Sequence, residues 1–234
     1  MISIFQQSTL TAPADKVTVP KVKENNTEET DFMTKDTAKK FLDFVKSNDR
    51  FHMLYYICTF ALYYGLRRSE LLGLKWSAFN FDKQEFEINH TVVRVSNTVE
   101  HRNNVKTPSS HRYLPLFTDI NECLDELMSW QKEHGFYSDD GYIFLRENGK
   151  EYEPDYLSKV FKKAVLACDC APDNLTLHGL RHSCCSILFE LGWDIERVQK
   201  WVGHSDISVT SNIYSHASKR WINEKGQELN GLLR

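Results

Sequence analysis

The sequence predicts an α+β fold, mainly helical, with one small three-stranded antiparallel sheet. Apolar residues recur at helical spacing through most of the chain, the period changes to two only between 85 and 117, and glycines close several helical runs. The most apolar stretch, Tyr55 to Tyr64, is too short to span a bilayer and reads as a buried helix.

Taken in order, residues 1–33 are polar, hold Pro13, Pro20 and the acidic run Glu24 to Asp31, and carry no period, so they read as a linker or N-terminal arm. Thr34 is placed to cap a helix with Phe41, Leu42 and Val45 inward. A second helix runs from about 51 to 64 and stops at Gly65. Arg67 follows at once and opens a shorter one bearing Leu71, Leu72 and Leu74. Phe86 and Ile88, then Val92, Val93 and Val95, then Tyr113, Leu114 and Leu116 mark three short antiparallel strands, with Lys106 in the turn joining the last two. Helical spacing returns over 121–134 and 155–167, separated by a short extended piece over 142–145.

The C-terminal third concentrates the chemistry. Leu180, Cys184, Ile187, Leu188 and Leu191 give a helix with one buried face, ended by Gly192, which holds Arg181 near its start. Asp194 caps a short helix closed by Gly203, leaving His204 just past its end. Ser205 or Asp206 can cap a third carrying Ile213 and Tyr214. Two arginines, Arg67 and Arg181, suit a phosphodiester, because each planar fork can make two charge-assisted hydrogen bonds to the oxygens on which charge develops. A tyrosine hydroxyl, with a pKa near 10, needs a base or a strong positive field to act as nucleophile at neutral pH.

These residues resemble the tyrosine recombinase (phage integrase) family. The likeness rests on His178-x-x-Arg181, Gly203-His204 and Tyr214, on Gly65-Leu66-Arg67-x-x-Glu70-Leu71-x-x-Leu74-x-Trp76, and on Lys106-Thr107-x-x-Ser110-x-Arg112, and it spans roughly 34 to 217. It implies the family's catalytic fold over 34–217 and site-specific cutting and rejoining of DNA through a 3′-phosphotyrosyl link to Tyr214. Arg67 and Arg181 then clamp the phosphate, with His204 as an additional donor. His178 is the hydrogen-bonding or proton-accepting partner of the nucleophile, Lys106 the general acid for the leaving 5′-oxygen, and Glu70 the residue that orients a catalytic cation. His182, His216 and Arg68 are expected to be structural.

No metal or nucleotide cofactor is implied. The expected partners are double-stranded DNA attachment sites, a homo-tetramer on synapsed DNA formed from free monomers, and accessory directionality or DNA-bending proteins. The DNA-clamping domain that precedes the catalytic one in the family is expected to be absent. Residues 218–234, with Trp221, Ile222, Leu229, Leu232 and Leu233, read as a tail exchanged between subunits. Two other readings stay open: a type IB topoisomerase-like enzyme, and a non-recombining DNA-binding or regulatory fragment.

Composition sets weaker bounds. With 234 residues, 41% of them hydrophobic, the chain can build a real core, and its net charge of −3 lacks the basic surplus usual in nucleic-acid binders. Distribution matters more: acids crowd into 24–31 and 119–126, leaving Arg94, Arg102, Lys106 and Arg112 against Glu100 alone between 94 and 112. Nothing calls for a membrane partner, and no secretion signal follows Met1, so the cytoplasm is the default location and all six cysteines are expected to be reduced. Cys168-x-Cys170 lacks the paired C-x-x-C spacing of a structural zinc site.

Overall fold

Helix α2 (His52–Tyr64) is apolar on every face, and the molecule is built around it. A computed structural model of the protein describes residues 32–103, 111–204, 210, 211 and 213–215. Helices α1 (Lys35–Ser47), α3 (Arg68–Gly73), α4 (Thr118–Glu133) and α6 (Leu177–Glu190) pack around α2, and α5 (Pro154–Ala167) lies against α3. Phe41, Ile57, Phe60, Leu66, Leu124, Phe161 and Leu180 are fully buried in the resulting core. Local signals set the ends: the Thr34 hydroxyl accepts from the Thr37 N–H at 3.2 Å, and Gly65 ends α2 at a φ of 59°, a left-handed conformation that glycine adopts without a steric cost.

The strands differ in part from the sequence expectation. A three-stranded antiparallel sheet is present, made of β1 (Phe79–Asn80), β2 (Glu85–Ile88) and β5 (Arg112–Pro115), with β2 central and Phe86 opposite Leu114. Segment β3 (Thr91–Val95), expected in that sheet, instead pairs with β4 (Thr98–Arg102) in a separate hairpin, Val93 opposite Glu100. β4 carries polar residues on both faces, so it has no apolar alternation to betray it, and two-residue β1 is too short for a period. Position 106 therefore falls between β4 and β5, outside the described residues, as do 1–31 and 216–234.

A smaller cluster of Cys184, Cys185, Leu188, Val198, Val202 and Ile213 joins α6 to α7 (Ile195–Val202) and anchors the residue before Tyr214. Thr210, Ser211 and 213–215 are helical, and the expected cap at 205 or 206 lies outside the described residues. The cysteine expectation is corrected at one pair: Cys168 and Cys170 form a disulfide. Cys168 caps the end of α5, where the chain turns and brings the two Cα atoms to 5.3 Å, within bridging range. The other four cysteines are free and buried. The basic stretch is also less bare than its composition suggests. Arg94 reaches Asp155 at 3.2 Å, Arg102 reaches Glu100 at 2.8 Å and Arg112 reaches Glu70 at 3.2 Å. Among the described residues, no helix is long and apolar enough to cross a membrane.

Candidate active site

Four segments far apart in sequence meet at the end of α2. After the left-handed turn at Gly65, buried Leu66 pulls the chain inward and leaves Arg67 as the N-cap of α3. Glu70 closes that turn: one carboxylate oxygen accepts from the Arg67 N–H at 3.0 Å and the other pairs with Arg67 Nη1 at 2.6 Å. From β5, Arg112 faces the same carboxylate, Nη2 to Oε2 at 3.2 Å, and donates through Nε to the Trp201 carbonyl at 3.1 Å. Arg67 Nη2 donates to the Gly203 carbonyl at 2.6 Å, which ties α3 to the end of α7.

Glu70 is 1% exposed. Burial by itself would raise its pKa, but the charges of Arg112 and Arg67 and their hydrogen bonds outweigh that and hold the carboxyl below the ordinary range. The expected role for Glu70 was to orient one cation; the structure gives it two. Arg112 is the residue that sequence reasoning passed over. Its signal was available at the end of the Lys106-Thr107 motif, but nothing in the sequence separates it from an ordinary strand arginine until β5 lies beside α3.

Arg181 comes from the second turn of α6, whose start is capped by the Thr176 hydroxyl accepting from the Gly179 N–H at 3.0 Å. It is 1% exposed. Nη1 donates to the Gly65 carbonyl at 2.5 Å and Nε to His204 Nε2 at 2.9 Å, while Nη2 is buried with no partner among the described residues. Desolvation first, then the charge of Arg67, brings its pKa down to about 10, so it stays cationic at neutral pH.

These contacts assign the tautomer of His204. An Nε2 that accepts from Arg181 carries no proton, so Nδ1 bears it and donates to Thr210 Oγ1 at 2.7 Å. Desolvation, then Arg181 and Arg67, pushes the ring down to about 3, which keeps it neutral. Expected as an additional donor to phosphate, His204 here has both nitrogens engaged within the protein. A donor role requires the bond to Arg181 to open.

His178 is exposed on the first turn of α6, its ring centroid 4.6 Å from that of His182. Desolvation, then Arg181 and Arg67, lowers its pKa. His182 falls to about 4 through desolvation, then the charges of His178 and Arg181. Arg68 turns away and donates to Ser158 Oγ at 2.7 Å. Tyr214 is not gathered with the cations. It is 44% exposed, and its ring meets Phe189 edge-on at a centroid distance of 5.1 Å. Phe189 lies eight residues beyond Arg181 on α6, about 12 Å along the helix. Lys106 and His216 lie outside the described residues.

Two guanidinium groups thus share one carboxylate beside a third, buried one that has no carboxylate partner, and one nitrogen of that third group, Arg181 Nη2, has no partner among the described residues. Such an excess of fixed positive charge and donors is costly without an anion and suited to a phosphate with developing charge.

Comparison with known proteins agrees with this chemistry. Residues 31–220 match the sequence profile described as the phage integrase family. A tyrosine recombinase XerC-like protein of Caldanaerobacter subterraneus subsp. tengcongensis is 30% identical over 234 residues, covering 93% of this chain and 58% of its own. The transposase from transposon Tn916 of Enterococcus faecalis is 27% identical, covering 94% of this chain and 56% of its own. The chain thus spans a little over half the length of these curated relatives. In fold it is similar to the Tn1549 transposon integrase in complex with transposon right end DNA, with a TM-score of 0.71 at 22% identity over 86% of this chain and 68% of that one. It is also similar to the XerH site-specific recombinase bound to its difH substrate, with a TM-score of 0.60 at 20% identity over 84% of this chain and 52% of that one.

Proposed function

From the premise that the chain belongs to the phage integrase family, we propose that it carries the catalytic centre of a site-specific DNA recombinase, which cuts and rejoins double-stranded DNA through a covalent link to Tyr214. The observation that carries the reading is the buried, net-cationic cluster of Arg67, Arg112 and Arg181 around Glu70, with Arg181 Nη2 unpartnered. Arg67 and Arg181 hold the non-bridging oxygens of the scissile phosphate; Glu70 and Arg112 keep Arg67 in place, and His204 does the same for Arg181.

Tyr214 Oη attacks phosphorus and forms the 3′-phosphotyrosine as the P–O5′ bond breaks. Its proton passes to His178, which is neutral and open to solvent at the mouth of the cluster. The leaving 5′-oxygen takes a proton from Lys106. Because the phosphodiester energy is kept in the tyrosyl link, religation needs no nucleotide. For Tyr214 to reach the phosphate it must leave Phe189, and contact with a neighbouring protomer, through exchange of residues 218–234 in a synaptic tetramer, supplies that displacement. Free protein is then a monomer with an idle tyrosine. Attachment-site DNA and accessory directionality or DNA-bending proteins complete the assembly.

The experiment is trapping of the intermediate. Incubated with a nicked site substrate, the protein should form a denaturant-resistant protein–DNA adduct, and Tyr214→Phe should abolish it with DNA affinity nearly unchanged; an adduct that persists in the variant overturns the assignment. Lys106→Ala should slow cleavage of ordinary DNA and spare a substrate with a 5′-bridging sulfur, which needs no proton to depart.

A further inference from the structure

Thr210 is fully buried, and its hydroxyl oxygen accepts the Nδ1 proton of His204 at 2.7 Å, the short end of the N–H···O range. His204 is the fixed member of this pair. Its main-chain N–H donates to the Gln199 carbonyl at 3.1 Å, its own carbonyl accepts from Gln199 Nε2 at 3.3 Å, and Arg181 Nε holds the other ring nitrogen at 2.9 Å. Thr210 is the held member, and it lies one turn before Tyr214 on a helical segment. Residues four apart on a helix are side-by-side neighbours, their Cβ atoms about 6 Å apart. The ring of His204 therefore links the buried guanidinium of Arg181 to the turn that carries Tyr214. Ile213 packs the inner side of that turn against Cys184, Leu188, Val198 and Val202, while Tyr214 faces outward on Phe189.

The position needs a hydroxyl. Arg181 can only donate, so Nε2 is bare while that bond holds, and Nδ1 carries the proton. When Arg181 turns to a phosphate and the ring presents Nε2–H to an anionic oxygen, Nδ1 becomes the bare nitrogen and needs a donor. The Thr210 hydroxyl accepts in the first arrangement and donates in the second, so the contact survives the change. A carboxylate serves only the first, and an alkyl group serves neither. The ring keeps its charge in the exchange, since Nδ1 returns one proton to water and Nε2 takes one from water.

We propose that Thr210 is a positioning residue for the reaction: in both proton arrangements of the ring its hydroxyl keeps the turn that carries Tyr214 tied, through His204, to the arginine that holds the scissile phosphate. Tyr214 then leaves Phe189 by turning about an anchor one helical turn away, and its approach to phosphorus is confined to the neighbourhood of Arg181. This role rests on the recombinase reading; the contact between His204 and Thr210 does not.

Nitrogen NMR of the histidine-labelled full chain, without DNA, tests the contact, with the His204 signals assigned by their loss in His204→Phe. At neutral pH the ring should be the Nδ1–H tautomer with a slowly exchanging Nδ1 proton. Thr210→Ser should keep that protection and Thr210→Val should lose it. An Nε2–H tautomer in the free wild-type protein overturns the proposal. The role is tested by single-turnover adduct formation on saturating nicked site DNA, at a temperature where circular dichroism shows every variant folded. Thr210→Val should slow the adduct about tenfold or more while changing DNA affinity less than about twofold, because aim is lost and binding is not. Thr210→Ser should recover most of the lost rate. In a His204→Phe background, which keeps a ring without nitrogens, Thr210→Val should cost less than about twofold, since the two residues act as one unit. Equal losses in the Ser and Val variants, or an undiminished loss in the His204→Phe background, overturn the role. A wild-type protein that forms no adduct overturns the recombinase reading and this role with it, while the NMR result still decides the contact, so the two fail separately.

Discussion

Replacing Glu70 by glutamine would leave Arg67, Arg112 and Arg181 facing one another across a buried site with no compensating charge. Removing one partner of a buried ionic group costs about 3 to 5 kcal/mol, and partly exposed Arg67 places the expected loss at the lower end, about 3 kcal/mol, readable as a shift in the urea midpoint. Cleavage should fall further than DNA affinity, because the guanidinium groups persist but lose their aim. His204 supplies a second prediction. Folded His204 titrates at about 3 and His182 at about 4, whereas an unfolded histidine titrates near 6.5. The unfolded chain therefore takes up protons first as pH falls. Stability from these two rings is complete above about 6.5 and declines from there toward 3, each ring contributing a slope of at most about 1.4 kcal/mol per pH unit. His204→Gln should make the dependence of unfolding free energy between pH 6.5 and 4.5 shallower; an unchanged slope would mean that the ring already titrates normally in the fold.

At the scale of elements, two glycines set how closely segments approach. A Cβ on Gly73 would stand 2.2 Å from the His90 carbonyl oxygen, backbone against backbone, where α3 meets the start of β3. Gly73→Ala should therefore push β3 off the helix that carries Arg67 and Glu70 and cost about 1 to 3 kcal/mol or more, lowering Tm by several degrees. A Cβ on Gly65 would meet Val202 Cγ1 at 2.6 Å, at a φ of 59°. The sequence made the helices legible by their apolar faces, and α1 and α7 also by a cap: Thr34 and Asp194 accept the expected backbone bond, while the Thr176 cap of α6 was not read from the sequence. The α4 start was read late, at 121 instead of Thr118, because Phe117 caps it without a side-chain bond. Strand partnership was not legible, since β3 carries the same alternation whether it joins β2 or turns back to β4. In the site, residue identities came through the motif, but Arg112 and the pairing of Arg181 with His204 depend on contacts 42 and 23 residues apart.

For the whole molecule, the tail prediction concerns assembly. Deleting residues 218–234 should weaken cooperative binding to paired sites in a gel-shift titration by about tenfold or more while changing affinity for one half-site less than twofold; equal losses would make the tail ordinary core. A last consequence lies in what anchors the site's arginines. Arg67, Arg112 and Arg181 each donate to a main-chain oxygen, of Gly203, Trp201 and Gly65, at or next to the C-terminal end of α7 or α2, where the helix dipole favours a cation. Main-chain oxygens survive nearly every substitution at their own positions. The clamp is therefore inherited with the path of the backbone more than with the identity of its neighbours, and lineages can exchange the side chains around it while the arginines keep their bearing. What drift cannot change cheaply is the left-handed turn at Gly65 and at Gly203, so in a population of diverging copies those two glycines should vary as little as the arginines they hold.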